Sequence, residues 1–270
     1  MAVQSNFHTH SIYCDGKDTP AQMAAQAFSL GFFALGFSGH SDPEFSDCGM
    51  KKDAELRYRE DVAHLKAQYA GRMEIYCGVE RDILAGPRPA GYDYAIGSVH
   101  WLEKDGRHLS VDWKKEITLD VIRRHFGGDP YAYAAAYYAL VSQVKEKTRC
   151  DVIGHFDLLT KFDEGTAIVD NGHPRYRAAV ALALDALCAP GAVFEINTGA
   201  MAKGYRKTPY PALWILKELH KRRCAVMINS DCHDRQKLAF GFDLARELAL
   251  EAGFTGQIVI QNGAFQEIPL

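Results

Sequence analysis

Several features are missing or scarce in this chain, and each absence narrows what it can be. No apolar run approaches the ~18 residues that would suggest a membrane span. The N-terminal Met-Ala-Val-Gln-Ser-Asn lacks the basic and apolar regions of a signal peptide. A cytoplasmic location with no membrane partner is therefore expected. The seven cysteines, at 14, 48, 77, 150, 188, 224 and 232, are odd in number and show no close paired spacing, which fits reduced thiols and not a disulfide framework. Basic excess is absent too: the net charge is -3, and without an extended basic stripe nucleic acid is not an expected partner. There is no internal repeat, low-complexity segment or convincing linker, and the loop at 86–91 is too short to mark a boundary. One domain spanning 1–270 is expected, and 47% hydrophobic with 24% charged residues is ordinary for a globular protein.

What is present begins with residues 5 to 16, read as a first strand. In an extended chain alternate side chains share a face, so His8 and His10 aim two imidazoles at one point. Asp15-Gly16 then turns the chain and can return a carboxylate to the same place. Thr19-Pro20 opens a helix that Gly31 stops. A second strand at 33–38 runs into Gly39-His40. The charged stretch 51–70 reads as a solvated helix, a third strand at 73–79 ends on Glu80, and a fourth at 92–99 ends on His100. Residues 101–150 are expected to hold two helices, with the alanine- and tyrosine-rich run 131–140 as helix core. A fifth strand at 151–154 closes on His155, and Asp170 or Asn171 is expected to cap the helix that carries Pro174. Strand six at 192–197 puts Glu195 and Asn197 on one face. Thr208-Pro209 is expected to open the next helix, and strand seven at 225–230 leads into Asp231-Cys232-His233. A last helix covers 241–252.

Seven strands mostly separated by helices imply parallel pairing, right-handed crossovers and an α/β barrel of the TIM kind. Functional groups in such barrels gather at the C-terminal strand ends. Here those ends carry His8 with His10, His40, Glu80, His100, His155, Glu195 with Asn197, and Asp231 with His233. Mixed imidazole and carboxylate ligands without an evident thiolate favour Zn, Fe or Mn over Ca or Mg. Nine ligands, counting Asp15 and leaving aside Glu195 and Asn197, exceed the needs of one metal and suit three ions. His64, His108, His125, His173 and His220 fall in helices or loops and are read as surface or core residues.

The motifs His8-Thr9-His10 with Asp15, Ser38-Gly39-His40-Ser41, Gly78-Val79-Glu80, Gly97-Ser98-Val99-His100, Gly154-His155-Phe156-Asp157 and Asn229-Ser230-Asp231-Cys232-His233 resemble, in content and order, those of the polymerase and histidinol phosphatase (PHP) phosphoesterases. That resemblance implies a distorted (β/α)7 barrel with a trinuclear centre. His8, His10, Glu80 and Asp231 would hold the first metal; Glu80 would bridge to a second held by His100 and His155; Asp15, His40 and His233 would hold the third. Tyr137-Tyr138, Glu195-Ile196-Asn197-Thr198-Gly199, Arg206 and Pro209-Tyr210-Pro211 look most like the stand-alone histidinol-phosphatase branch. The implied activity is hydrolysis of a small phosphorylated substrate, L-histidinol phosphate, in histidine biosynthesis. Arg206 and Lys161 are the candidate cations for the phosphate, because a guanidinium or ammonium can donate to phosphate oxygens. Other readings are a different monoester, nucleic-acid ends, a metal-dependent amidohydrolase, or a silent metal-binding domain.

Overall fold

The computed structural model describes residues 5–41, 43–165 and 167–270. Residues 1–4, on which the reading of the N-terminus partly rests, lie outside the described residues. The first half of the chain runs β1 (Ser5–Asn6), α1 (Pro20–Ser29), β2 (Ala34–Phe37), β3 (His40–Ser41), α2 (Lys52–Gln68), β4 (Glu74–Asp82) and β5 (Tyr94–Ser98). Then follow β6 (Trp101–Lys104), β7 (Arg107–Ser110), α3 (Lys115–His125), α4 (Pro130–Val141), α5 (Val144–Thr148) and β8 (Val152–Ile153). The remainder is α6 (Pro174–Leu187), β9 (Val193–Asn197), α7 (Gly199–Ala202), α8 (Leu213–Lys221), β10 (Ala225–Asn229), α9 (Phe242–Ala252), β11 (Gly256–Gln261) and β12 (Ala264–Pro269).

Seven strands pair in parallel in the order β1-β2-β4-β5-β8-β9-β10, with β3 added beside β4. The ends of the sheet meet where Thr9 bridges Cys232: the His10 amide donates to the Cys232 carbonyl at 2.8 Å and the Cys232 amide to the His8 carbonyl at 3.1 Å. The result is a nearly closed seven-stranded barrel. Its interior is filled by Phe7, Tyr76, Tyr94, Ile96, Val152 and Met227. Tyr94 lies across the barrel and donates to the Phe7 carbonyl at 2.5 Å; Gly36 and Gly78 leave the room, since a Cβ at either would collide with its ring. The helices cover the outside through a second, larger apolar cluster.

Local sequence explains some element boundaries and not others. Thr19 accepts from the Gln22 amide at 3.2 Å and Gln22 accepts from the Thr19 amide at 2.9 Å, a reciprocal capping box that starts α1 at Pro20. The expected first strand is shorter than 5–16. From Ser11 the backbone turns, with the Cys14 and Gly16 amides both donating to the Ser11 carbonyl. The stretch 101–150 holds three helices and a hairpin in place of two helices. Asp105-Gly106, both at positive φ, forms the two-residue turn between β6 and β7. Asp170 does not cap α6: its side chain accepts from Gly172 at 2.8 Å in a local turn, and His173 Nδ1 takes the Arg175 amide at 3.2 Å. No helix opens at Thr208-Pro209. Tyr210 exchanges both backbone bonds with Asn197 and precedes Pro211, which keeps the segment extended. The helix α8 begins only after Ala212, whose amide donates to Asp157 Oδ2 at 3.0 Å. A second hairpin, β11 with β12, turns at Asn262-Gly263 and sets Val259 and Ile260 against the barrel interior.

Candidate metal centre

Parallel strands deliver their C-terminal ends to one rim, and there the nine side chains singled out from the sequence converge. Glu80 sits at the middle, fully buried. Its Oε2 lies 3.2 Å from His8 Nε2, 3.6 Å from His10 Nε2 and 2.9 Å from His40 Nδ1. Its Oε1 lies 2.9 Å from His155 Nε2 and 3.4 Å from His100 Nε2, and accepts from Ser98 at 2.6 Å. Each oxygen therefore faces a different set of imidazoles, the disposition a bridging carboxylate needs. Asp231 Oδ1 approaches His10 Nε2 at 3.1 Å and His8 Nε2 at 3.7 Å. The turn after Ser11 returns Asp15 to the same rim, 3.6 Å from His40 Nε2 and 3.3 Å from His233 Nε2.

Three overlapping groups have the spacing to hold a metal ion: His8, His10 and Asp231; His40, Glu80 and His100; and His10, Asp15, His40 and His233. His155 joins them through Glu80. The donor chemistry fits metal ions. His8 Nε2, His10 Nε2 and Glu80 Oε2 are buried with no hydrogen-bond partner, although polar atoms so placed ordinarily have one. Burial alone would push Glu80 upward, yet His8, His40 and His100 hold its carboxyl well below the usual range. Asp15 behaves alike: burial opposes its charge and His233, His40 and His10 outweigh that, so it is held far below its ordinary value. His10 is driven the other way, below the ordinary imidazole value, by burial and by the neighbouring His233 and His40. A cluster so dense in carboxylates and imidazoles has the donors to hold cations.

Around the ligands lies a set of orienting groups that the sequence reading did not assign. His233 Nδ1 lies 2.9 Å from the Asp231 carbonyl, and Asp82 Oδ2 lies 3.3 Å from His100 Nδ1 while accepting the His100 amide at 2.8 Å. Asp82 carried a signal: it stands two residues after Glu80 on β4, hence on the same face. Cys14 backs His10 Nδ1 at 3.6 Å, and burial pushes its thiol up to about 12.

A cavity of about 330 Å³ opens above the centre, lined by His40, His100, His155, Asp231 and His233 below and by Trp101, Trp113, Lys161, Lys203, Tyr205 and Tyr210 along its walls. Lys161 is in it. Its Nζ donates to Asp112 Oδ2 and to the Asp112 carbonyl, both at 2.8 Å. Burial works against the ammonium, and Asp112 overrides it and holds the pKa above its ordinary value. Arg206, expected in the cavity, lies behind its wall. The guanidinium donates to the Thr160 carbonyl at 3.0 Å and covers the Tyr210 ring at 4.5 Å, so its hydrogen bonds are spent on the protein. Of the histidines given no role, His173 caps α6, and His108 stacks on Phe45 at 3.6 Å.

A sequence profile of the PHP domain matches residues 6–199. The histidinol-phosphatase of Bacillus subtilis (strain 168) is 26% identical over 262 residues, covering 87% of this chain and 96% of the relative. Among solved structures, histidinol phosphate phosphatase from Lactococcus lactis, complexed with zinc, L-histidinol and phosphate, superposes with a TM-score of 0.75 at 18% identity, over 97% of this chain and 98% of that one. At that identity the superposition speaks for the fold.

Proposed function

The chain belongs to the PHP domain family, and from that membership we propose that it is a metal-dependent phosphomonoesterase acting on L-histidinol phosphate, with residues 1–270 as one cytoplasmic catalytic domain. The observation that carries the reading is Glu80, buried between two sets of imidazoles, of which His40, His100 and His155 line a cavity whose wall presents a cation. The name and near-full-length match of the Bacillus subtilis relative favour this monoester over others.

We assign three divalent ions, with Zn, Fe or Mn suited to the donors, to His8, His10, Asp15, His40, Glu80, His100, His155, Asp231 and His233. When bound, such ions lower the pKa of water towards 7 and neutralise phosphate charge. The chain's own residues do the rest. Glu80 keeps the two sets of imidazoles at a fixed separation. Lys161, held by Asp112, offers a fixed ammonium to a phosphate oxygen, and Arg206 fixes Thr160 and Tyr210 in the wall. Trp101, Trp113 and Tyr205 line the cavity over the site.

The test is release of inorganic phosphate from L-histidinol phosphate by metal-replete protein, run beside a chelated control and a panel of other monoesters. Selective, chelator-sensitive release is expected. Preference for another monoester would leave the metal chemistry and overturn the substrate; no release from any would overturn the reading.

A further inference from the structure

Glu195 stands among the metal-ligating side chains, yet all its lone pairs are committed elsewhere. Oε1 lies 2.6 Å from His8 Nδ1 and accepts from Asn229 Nδ2 at 3.0 Å. Oε2 accepts from the His155 amide and from Asn197 Nδ2, both at 2.9 Å. Four hydrogen bonds exhaust what a carboxylate accepts in its plane, and the side chain is fully buried. The four donors come from four places on the rim: the segment after β1, the segment after β8, β9 itself and the end of β10. Two of them belong to His8 and His155.

We propose that Glu195 is a positioning residue, the group that fixes His8 in the tautomer with its proton on Nδ1 and so leaves Nε2 bare to receive a metal. The geometry leaves His8 little choice, because Nδ1 faces a carboxylate oxygen at 2.6 Å and Nε2 points at Glu80 and Asp231. A metal-bound imidazole needs this arrangement: the nitrogen away from the metal donates, and a carboxylate acceptor raises the basicity of the other. Glu195 also sets the His155 backbone through the amide bond and reaches Asp231 through Asn197, whose Nδ2 lies 3.4 Å from Asp231 Oδ2. The proposal rests on the metal-centre reading above but not on the identity of the substrate.

Glu195→Gln is the informative change. One amide oxygen cannot accept from all four donors, and the amide NH2 must confront either His8 Nδ1 or the His155 amide and Asn197. Two measurements test the role, with zinc as the probe metal. Long-range proton–nitrogen NMR of the wild-type, zinc-loaded protein reads the His8 tautomer without depending on any variant; protonated Nδ1 is expected, and protonated Nε2 would overturn the proposal. Competition against a chromophoric chelator then gives zinc affinity, which E195Q is expected to lower about 10- to 100-fold at its weakest site. Affinity within twofold of wild type in a folded E195Q protein would reduce Glu195 to a packing role. If zinc affinity falls as expected while L-histidinol phosphate is not hydrolysed, this proposal stands and the substrate assignment fails.

Discussion

At the scale of single residues, the site depends on charge held where water is excluded. His10 and Asp231 meet at 3.1 Å with His10 fully buried. Replacing either by alanine removes one of the proposed metal ligands. His10→Ala and Asp231→Ala are each expected to lose phosphatase activity on the order of a thousandfold, about 4 kcal/mol of transition-state stabilisation, and to retain less metal per chain. Wild-type turnover in a metal-checked variant would remove that residue from the site. The Asp112–Lys161 pair makes a pH-dependent expectation. Burial would raise the Asp112 carboxyl, but Lys161 brings it down to about 2, below the unfolded value near 4. A depressed carboxylate adds stability above its unfolded pKa, here about 2 kcal/mol, and that contribution disappears as pH falls from about 4 to 2. Asp112→Asn is therefore expected to be less stable than wild type at pH 7 and to show a flatter loss of urea midpoint across that acid window. Identical acid limbs would contradict the pairing. Lys161→Met is expected to lower kcat/KM about 10- to 100-fold, the worth of one charge-assisted hydrogen bond.

At the scale of elements, the barrel works because two strands surrender a side chain to a third. Gly36 and Gly78 lie against the Tyr94 ring, which is fully buried and anchored by its hydroxyl. Gly78→Ala is expected to destabilise the fold by about 1–3 kcal/mol or more through overpacking, measured as a lower denaturant midpoint. An unchanged midpoint would mean that Tyr94 can move. The two hairpins show how a local signal is missed when strand ends dominate the reading. Asp105-Gly106 and Asn262-Gly263 are both ordinary two-residue turn sequences, and both adopt positive φ at each position. One places Trp101 at the mouth of the cavity, and the other seals the barrel interior with Val259 and Ile260.

At the scale of the whole molecule, the proposed metal centre would couple the fold to bound ions. His8, His10, Glu80 and Glu195 are all fully buried, so ions that neutralise the cluster bind the folded chain far better than the unfolded one. Chelation is expected to lower the thermal midpoint, and added zinc or manganese to restore it in a concentration-dependent way, by ~2.7 kcal/mol at a hundredfold excess over Kd. A chelator-insensitive midpoint would argue against structural coupling of metal and fold. How much of this was legible follows from range. Periodicity two placed His8 with His10, either side of the Thr9 bridge, and Glu195 with Asn197 on shared faces, and the start of α1 at Thr19-Pro20 and the alternation of strand and helix were legible from the chain alone. Asp231 and His233 also converge, but in the segment after β10, with Asp231 at positive φ, and not by strand alternation. Whether Arg206 reaches into the cavity or behind it, which carboxylate at the rim faces the imidazoles and which backs one, and where Asp112 meets Lys161 were decided by tertiary structure. These depend on contacts between segments tens to hundreds of residues apart, and their geometry is set by how the barrel closes, which no local pattern encodes.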